Sequence, residues 1–151
     1  MHGHGLRSRL YVGALGLGEW PAERTLLLRR YRCQDCKAVM LSCPRGVVGR
    51  LRYGLLAVVL ALSLWVVEGR PGHEVREVVS PWQSAGYEPF HGWRSLSRWA
   101  RRAEQLGVRE RSPPTSSARE RALDIVLQLS TRALVPTGSV ALDACAAALG
   151  S

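Results

Sequence analysis

The chain has 151 residues, with 21 basic against 12 acidic side chains and a formal net charge of +9. That length holds one ordinary domain or two very small ones and excludes most multi-lobed enzymes. Every basic residue except Lys37 is arginine, the planar donor that grips phosphate and guanine bidentately, so the surplus points to nucleic acid more than to a membrane surface.

Taken in chain order, "RLYVGALGLG" (9–18) reads as a weak strand ending in a glycine turn, and "RTLLLRRYRC" (24–33) as a second strand. Together they predict a hairpin leading to Cys33 and Cys36, so residues 1–52 form one unit. From Arg29 to Arg52 seven basic residues face a single acid, Asp35. Within that patch Arg29, Arg30, Arg32, Arg45, Arg50 and Arg52 are candidate phosphate contacts.

"YGLLAVVLALSLWVV" (53–67) is uncharged and apolar on every side. A membrane-spanning helix needs about 20 such residues, so the run predicts a buried helix, stopped by the "EGRPG" terminators. "HEVREVVS" (73–80) predicts a short second helix ended by Pro81, and "WQSAGYEPFHG" (82–92) a loop. "WRSLSRWARRAEQL" (93–106) predicts a third helix. Trp93, Leu96, Trp99, Ala100, Ala103 and Leu106 share one face of it, and Arg94, Arg98, Arg101, Arg102 and Gln105 the other. Residues 53–108 are thus a three-helix, helix-turn-helix unit with a cationic stripe, in which Arg94 and Arg98 are the candidates for reading base edges. An ordinary solvated face is the plainer reading of that stripe; its lack of interleaved acids favours a polyanionic partner.

Residues 109–117 read as a polar, proline-bearing linker. Residues 118–151 predict two further helices with nearly balanced charge, suited to packing or to contact with a protein partner. The expected fold class is therefore mainly α, with a small N-terminal β-hairpin. Asp35, Asp124 and Asp143 are scattered, and no serine sits in a strand-to-helix elbow, so neither metal-dependent strand cleavage nor a Ser-His-Asp hydrolase is supported. The chain is expected not to be an enzyme. No continuous apolar core marks a signal peptide in the first twenty residues, and the expected location is cytoplasmic, on the nucleoid.

Cys33-x-x-Cys36 puts two thiols at the spacing that grips one tetrahedral zinc, but a structural zinc takes four ligands. His2, His4 and Cys43 are the possible further donors. A redox dithiol, a disulfide and two inert thiols are the rival readings.

The order of these parts, carried by "HGHG" (2–5), "RRYRCQDC" (29–36), "PRGVVGRLRY" (44–53), "LALSLW" (60–65) and "GWRSLSRWAR" (92–101), resembles bacterial transposon-associated, transposase-like proteins with a zinc ribbon and a helix-turn-helix. The likeness covers roughly the first 110 residues. It implies double-stranded DNA as partner and a zinc ribbon whose first Cys-x-x-Cys would lie just upstream of "HGHG", where Met1 stands. The site is then incomplete, a degenerate ribbon, and Lys37 replaces the glycine that often follows the second cysteine. A small membrane-associated protein with residues 53–67 inserted, and a non-functional mobile-element remnant, are the alternatives.

Overall fold

Alternating side chains along "LRSRLYVG" and "ERTLLLRRYR" build the two long strands at the start of the chain. In the computed structural model, which describes residues 2–14, 16, 18–44, 46–49, 51–81, 93–109 and 111–150, β1 (His2–Gly13) and β2 (Ala22–Arg32) pair antiparallel. Gly13 lies opposite Ala22 at the turn and His2 opposite Arg32 at the far end, with a bulge between Gly3 and Leu6. A third strand absent from the sequence-based expectation, β3 (Val39–Ser42), adds to the free edge of β2. The sheet order is β1-β2-β3.

The sheet meets the helices at its base. Tyr11 and Val12 are buried there. Val12 accepts from Gly54 N–H and donates to Arg52 C=O, both at 3.0 Å. The Arg9 guanidinium donates to the carbonyls of Val48 and Leu51, which pins both residues against the strand. Gly54 is required at this junction, because a Cβ there would lie 1.8 Å from the Tyr11 hydroxyl oxygen.

α1 (Leu55–Val66) is the axis of the remainder, with nine of its residues buried. Apolar side chains on every side mean that it must be surrounded. α2 (Gly72–Val79), α3 (Arg94–Ala100), α4 (Ala118–Ser130) and α5 (Val140–Gly150) all pack on it. Past its last residue, Val66, the chain turns at Gly69, whose φ of +73° lets Arg70 N–H return to Leu64 C=O at 3.0 Å. Small side chains along α5 set Ala144 and Ala148 in the same core cluster as Leu62, Ile125 and Leu129. Ser117 and Glu120 cap α4 reciprocally: the Ser117 amide donates to Glu120 Oε2 at 2.6 Å and the Glu120 amide to Ser117 Oγ at 3.3 Å. Arg121 reaches back to the carbonyls of Pro113, Pro114 and Ser116, so the proline-bearing linker lies along the first turn of α4.

The expectation of a mainly α chain is corrected. Helix accounts for 41% and strand for 21%, which makes the class α+β with a three-stranded antiparallel sheet. Leucine, tyrosine and arginine mixed in strand-like runs marked only the long strands; β3 is four residues, all exposed, and carries no alternation to reveal it. The three-helix bundle is corrected with it: α1, α2 and α3 do not stand by themselves, since α4 and α5 pack on α1 as well. The loop expected over 82–92 lies outside the described residues. The third helix is also shorter than its periodicity suggests: it closes at Ala100, and a 3₁₀ turn covers Ala103–Leu106. Its apolar side survives the break, since Leu96, Trp99, Ala100, Ala103 and Leu106 are all buried. Leu64 and Val75 are buried, whereas Leu60, Trp65 and Trp93 are half-buried at the margin of the core.

Among the described residues no helix is long and apolar enough to cross a membrane. The reading in which residues 53–67 insert therefore loses its spanning element.

Candidate nucleic-acid interface and cysteine knuckle

The β2–β3 connection is the Cys33–Cys36 knuckle. Cys33 N–H donates to Ala38 C=O at 2.9 Å and closes the loop where the ladder resumes with Arg32 opposite Val39. Lys37, in the place of the expected glycine, takes φ +60°, the only non-glycine residue at positive φ among those described. The left-handed turn is thus made without glycine, and Lys37 Nζ donates to Gln34 C=O across it. The Cys33 sulfur accepts from the backbone N–H groups of Cys36 and Asp35 and interacts with the Cys36 side chain, which together hold its thiol below the usual cysteine range. Opposing them, the Cys33 thiol donates to Asp35 Oδ2 at 3.9 Å.

The register decides which possible donors stand near. His2 pairs with Arg32, one residue from Cys33, and His4 sits in the β1 bulge. Cys43 follows Ser42, which pairs with Arg29. At about 3.3 Å per residue the length of β3 puts Cys43 about 10 Å or more from the knuckle, too far to share its ion. Among the described residues no group of three or more His, Cys, Asp or Glu side chains converges. Among the described residues the knuckle thus brings together two thiols, half the ligand set of a structural zinc. Cys145 is elsewhere, buried in α5, and burial pushes its thiol up to about 11.

Arginines line the sheet leading to the knuckle on both of its faces. Arg30 and Arg32 alternate with Arg29, so the first two share one face and Arg29 lies on the other. On the Arg30 face Arg7 stands opposite Leu28. There a cleft of about 390 Å³ is lined by Arg7, Arg9, Leu28, Leu41, Leu51 and Arg52. Sequence reasoning passed over Arg7; the "RSR" alternation of residues 7–9 was the signal that would have found it. Arg52 is the least free of the expected phosphate contacts, because Glu23 pairs with it at 3.0 Å. Arg45 and Arg50 lie outside the described residues.

On α3, Arg94 and Arg98 are exposed and one turn apart. Arg101 and Arg102 are exposed as well, but they follow the helix end, and Arg102 has φ −126° and ψ 38°. The expected four-arginine helical stripe is thus two residues on helix and two on the turn beyond it. Trp93 and Trp99 carry this element onto Tyr53, with ring centroids 5.6 and 5.0 Å from the tyrosine. Tyr53 is itself bridged to Val12 of β1, so α3 is anchored at the base of the same sheet that bears the knuckle. Among the described residues no ion pair engages Arg7, Arg29, Arg30, Arg32, Arg98, Arg101 or Arg102.

The chain matches no protein-family model, no curated protein and no solved structure.

Proposed function

We propose that this chain binds duplex DNA without catalysing a reaction on it, as a protein of the transposon-associated kind. The observation that carries the reading is the set of arginines with no acidic partner among the described residues: exposed Arg7 and Arg29 on the sheet with half-buried Arg32 next to the knuckle, and exposed Arg98, Arg101 and Arg102 at α3. Leaving such guanidiniums unpaired is costly in self-repulsion, and a phosphate backbone relieves it while releasing counterions. In this reading the sheet arginines hold phosphates, and Arg94 and Arg98, one turn apart on α3, address base edges.

The aspartates support the non-catalytic part. Asp35 belongs to the knuckle; Asp124 accepts from Gln128 Nε2 at 2.9 Å within α4; Asp143 accepts from the Thr137 amide and hydroxyl at 2.7 and 2.8 Å before α5. Each has a local structural partner, and they lie on separate elements. Recombination chemistry, where the protein takes part in it, then comes from another polypeptide. A protein partner would meet the outer sides of α4 and α5, where Leu123, Leu127 and Leu142 are exposed. Fluorescence anisotropy with duplex DNA across a salt series tests the proposal: affinity should fall steeply with salt, and a folded chain that binds no duplex even at low salt would sink it.

A further inference from the structure

We propose that two copies of this chain share one zinc ion, each contributing Cys33 and Cys36. The knuckle has the features that a metal-holding thiolate pair needs before any metal arrives. Its loop is closed by the Cys33 to Ala38 hydrogen bond of 2.9 Å, its turn is made by Lys37 at φ +60°, and the Cys33 sulfur faces the N–H groups of Cys36 and Asp35. Such N–H groups disperse the negative charge of a metal-bound thiolate. Two donors at this spacing fill half of a tetrahedral shell.

A second knuckle supplies the other half with the same chemistry. Cys43 is held away by the length of β3, and although His2 stands opposite Arg32 on the adjacent strand, no third His, Cys, Asp or Glu side chain converges with the two thiols among the described residues. The second copy has open access, since every residue from Gln34 to Pro44 is exposed. Beside the thiols, the β3 edge shows Val39, Met40 and Leu41 with 39 to 47% of their surface in solvent, apolar area that an approaching copy covers. Charge is consistent as well. An ion with four thiolates carries a net double negative charge, and Arg32 and Lys37, the sequence neighbours of Cys33 and Cys36, bring positive charge beside the pair in each copy. Assembly is ligand exchange without oxidation or reduction: four Zn–S bonds replace the bonds from zinc to its bound waters, which leave to solvent with the four thiol protons. This assembly stands independently of the DNA-binding reading.

The test uses the tag-free, reduced 151-residue chain and zinc alone, with cobalt(II) as the spectroscopic substitute. Metal content is read by elemental analysis and mass by light scattering. The expected result is one ion per two chains, a mass that doubles on adding zinc and halves with EDTA, and the intense visible band of a tetrahedral cobalt–thiolate centre. Cys33→Ser and Cys36→Ser, each checked for fold by circular dichroism, should lose both the ion and the dimer. His2→Gln, His4→Gln and Cys43→Ser should change neither. One ion per monomer that disappears in His2→Gln or His4→Gln would overturn the proposal, as would a folded wild-type chain that takes up no zinc.

Discussion

The ring of Tyr53 meets the indole of Trp99 edge-on, 5.0 Å between centroids and 69° between planes. Trp93 completes the group at 4.9 Å from Trp99. Three aromatic rings in mutual edge contact thus join the residue that links β1 to α1 with the helix that bears Arg94 and Arg98. Trp99 is 4% exposed, so Trp99→Ala should destabilise the fold by about 3–5 kcal/mol, the range for a large aromatic lost from a core. Urea unfolding followed by far-UV circular dichroism measures it. A loss below about 1 kcal/mol would mean that α3 is not held on Tyr53.

Ser63 supplies a change in the opposite direction. Its side chain is wholly buried in α1, and its hydroxyl has no hydrogen-bond partner among the described residues. An unsatisfied buried hydroxyl costs about 1–3 kcal/mol, and alanine is the better helix former. Ser63→Ala should raise stability by about 1 kcal/mol, seen as a higher urea midpoint at unchanged slope. Destabilisation instead would show that the hydroxyl is bonded, to a helix carbonyl or to water.

How much of this was written in the sequence depends on which physical signal each part carries. The apolar run from Tyr53 and its glycine stop are local, and α1 follows them closely. The buried side of α3 was legible because Leu96, Trp99, Ala103 and Leu106 keep their spacing through the break at Arg101 and Arg102. The break itself was not legible, since arginine and alanine both favour helix and tertiary contacts decide where it ends. β3 was hidden because both its faces are exposed, leaving no alternation. The knuckle was legible from Cys-x-x-Cys spacing. That Cys43 stands apart from it depends on the β2–β3 register, a non-local property. The pairing of Arg52 with Glu23 across the sheet base was invisible for the same reason.

Asp143 links stability to pH. The Thr137 amide and hydroxyl, with a smaller contribution from the Gly138 amide, hold its carboxyl below the ordinary aspartate value of 3.8. A depressed folded value means that its stabilisation is present above the unfolded value and is lost as pH falls through the folded one. Acid should therefore weaken the α5 start in the window below 3.8. Asp143→Asn should flatten that part of the stability curve while leaving its neutral-pH shape intact. Urea midpoints taken from about pH 2 to pH 6 check this, and an unchanged acid limb in the variant would assign the loss to other carboxylates, Glu120 at the α4 cap foremost.

The arginines separate readout from charge. Arg29 and Arg30 sit on opposite faces of β2 and are expected to meet phosphates, so Arg29→Ala and Arg30→Ala should weaken specific and random duplexes alike and reduce the salt slope by about one unit each. Arg94 and Arg98 share one exposed side of α3. If they reach base edges, Arg94→Ala and Arg98→Ala should reduce discrimination by about 1–3 kcal/mol each. Arg52→Ala gives an internal control: Glu23 already engages its guanidinium, so its loss should cost less binding than that of Arg29 or Arg30. Anisotropy titrations with element-end duplexes against scrambled ones, each across a salt series, provide both numbers. Equal losses on both duplexes for all the variants would leave the chain a charge-driven binder with no base readout from α3. Unchanged binding in Arg29→Ala and Arg30→Ala would remove the sheet from the interface.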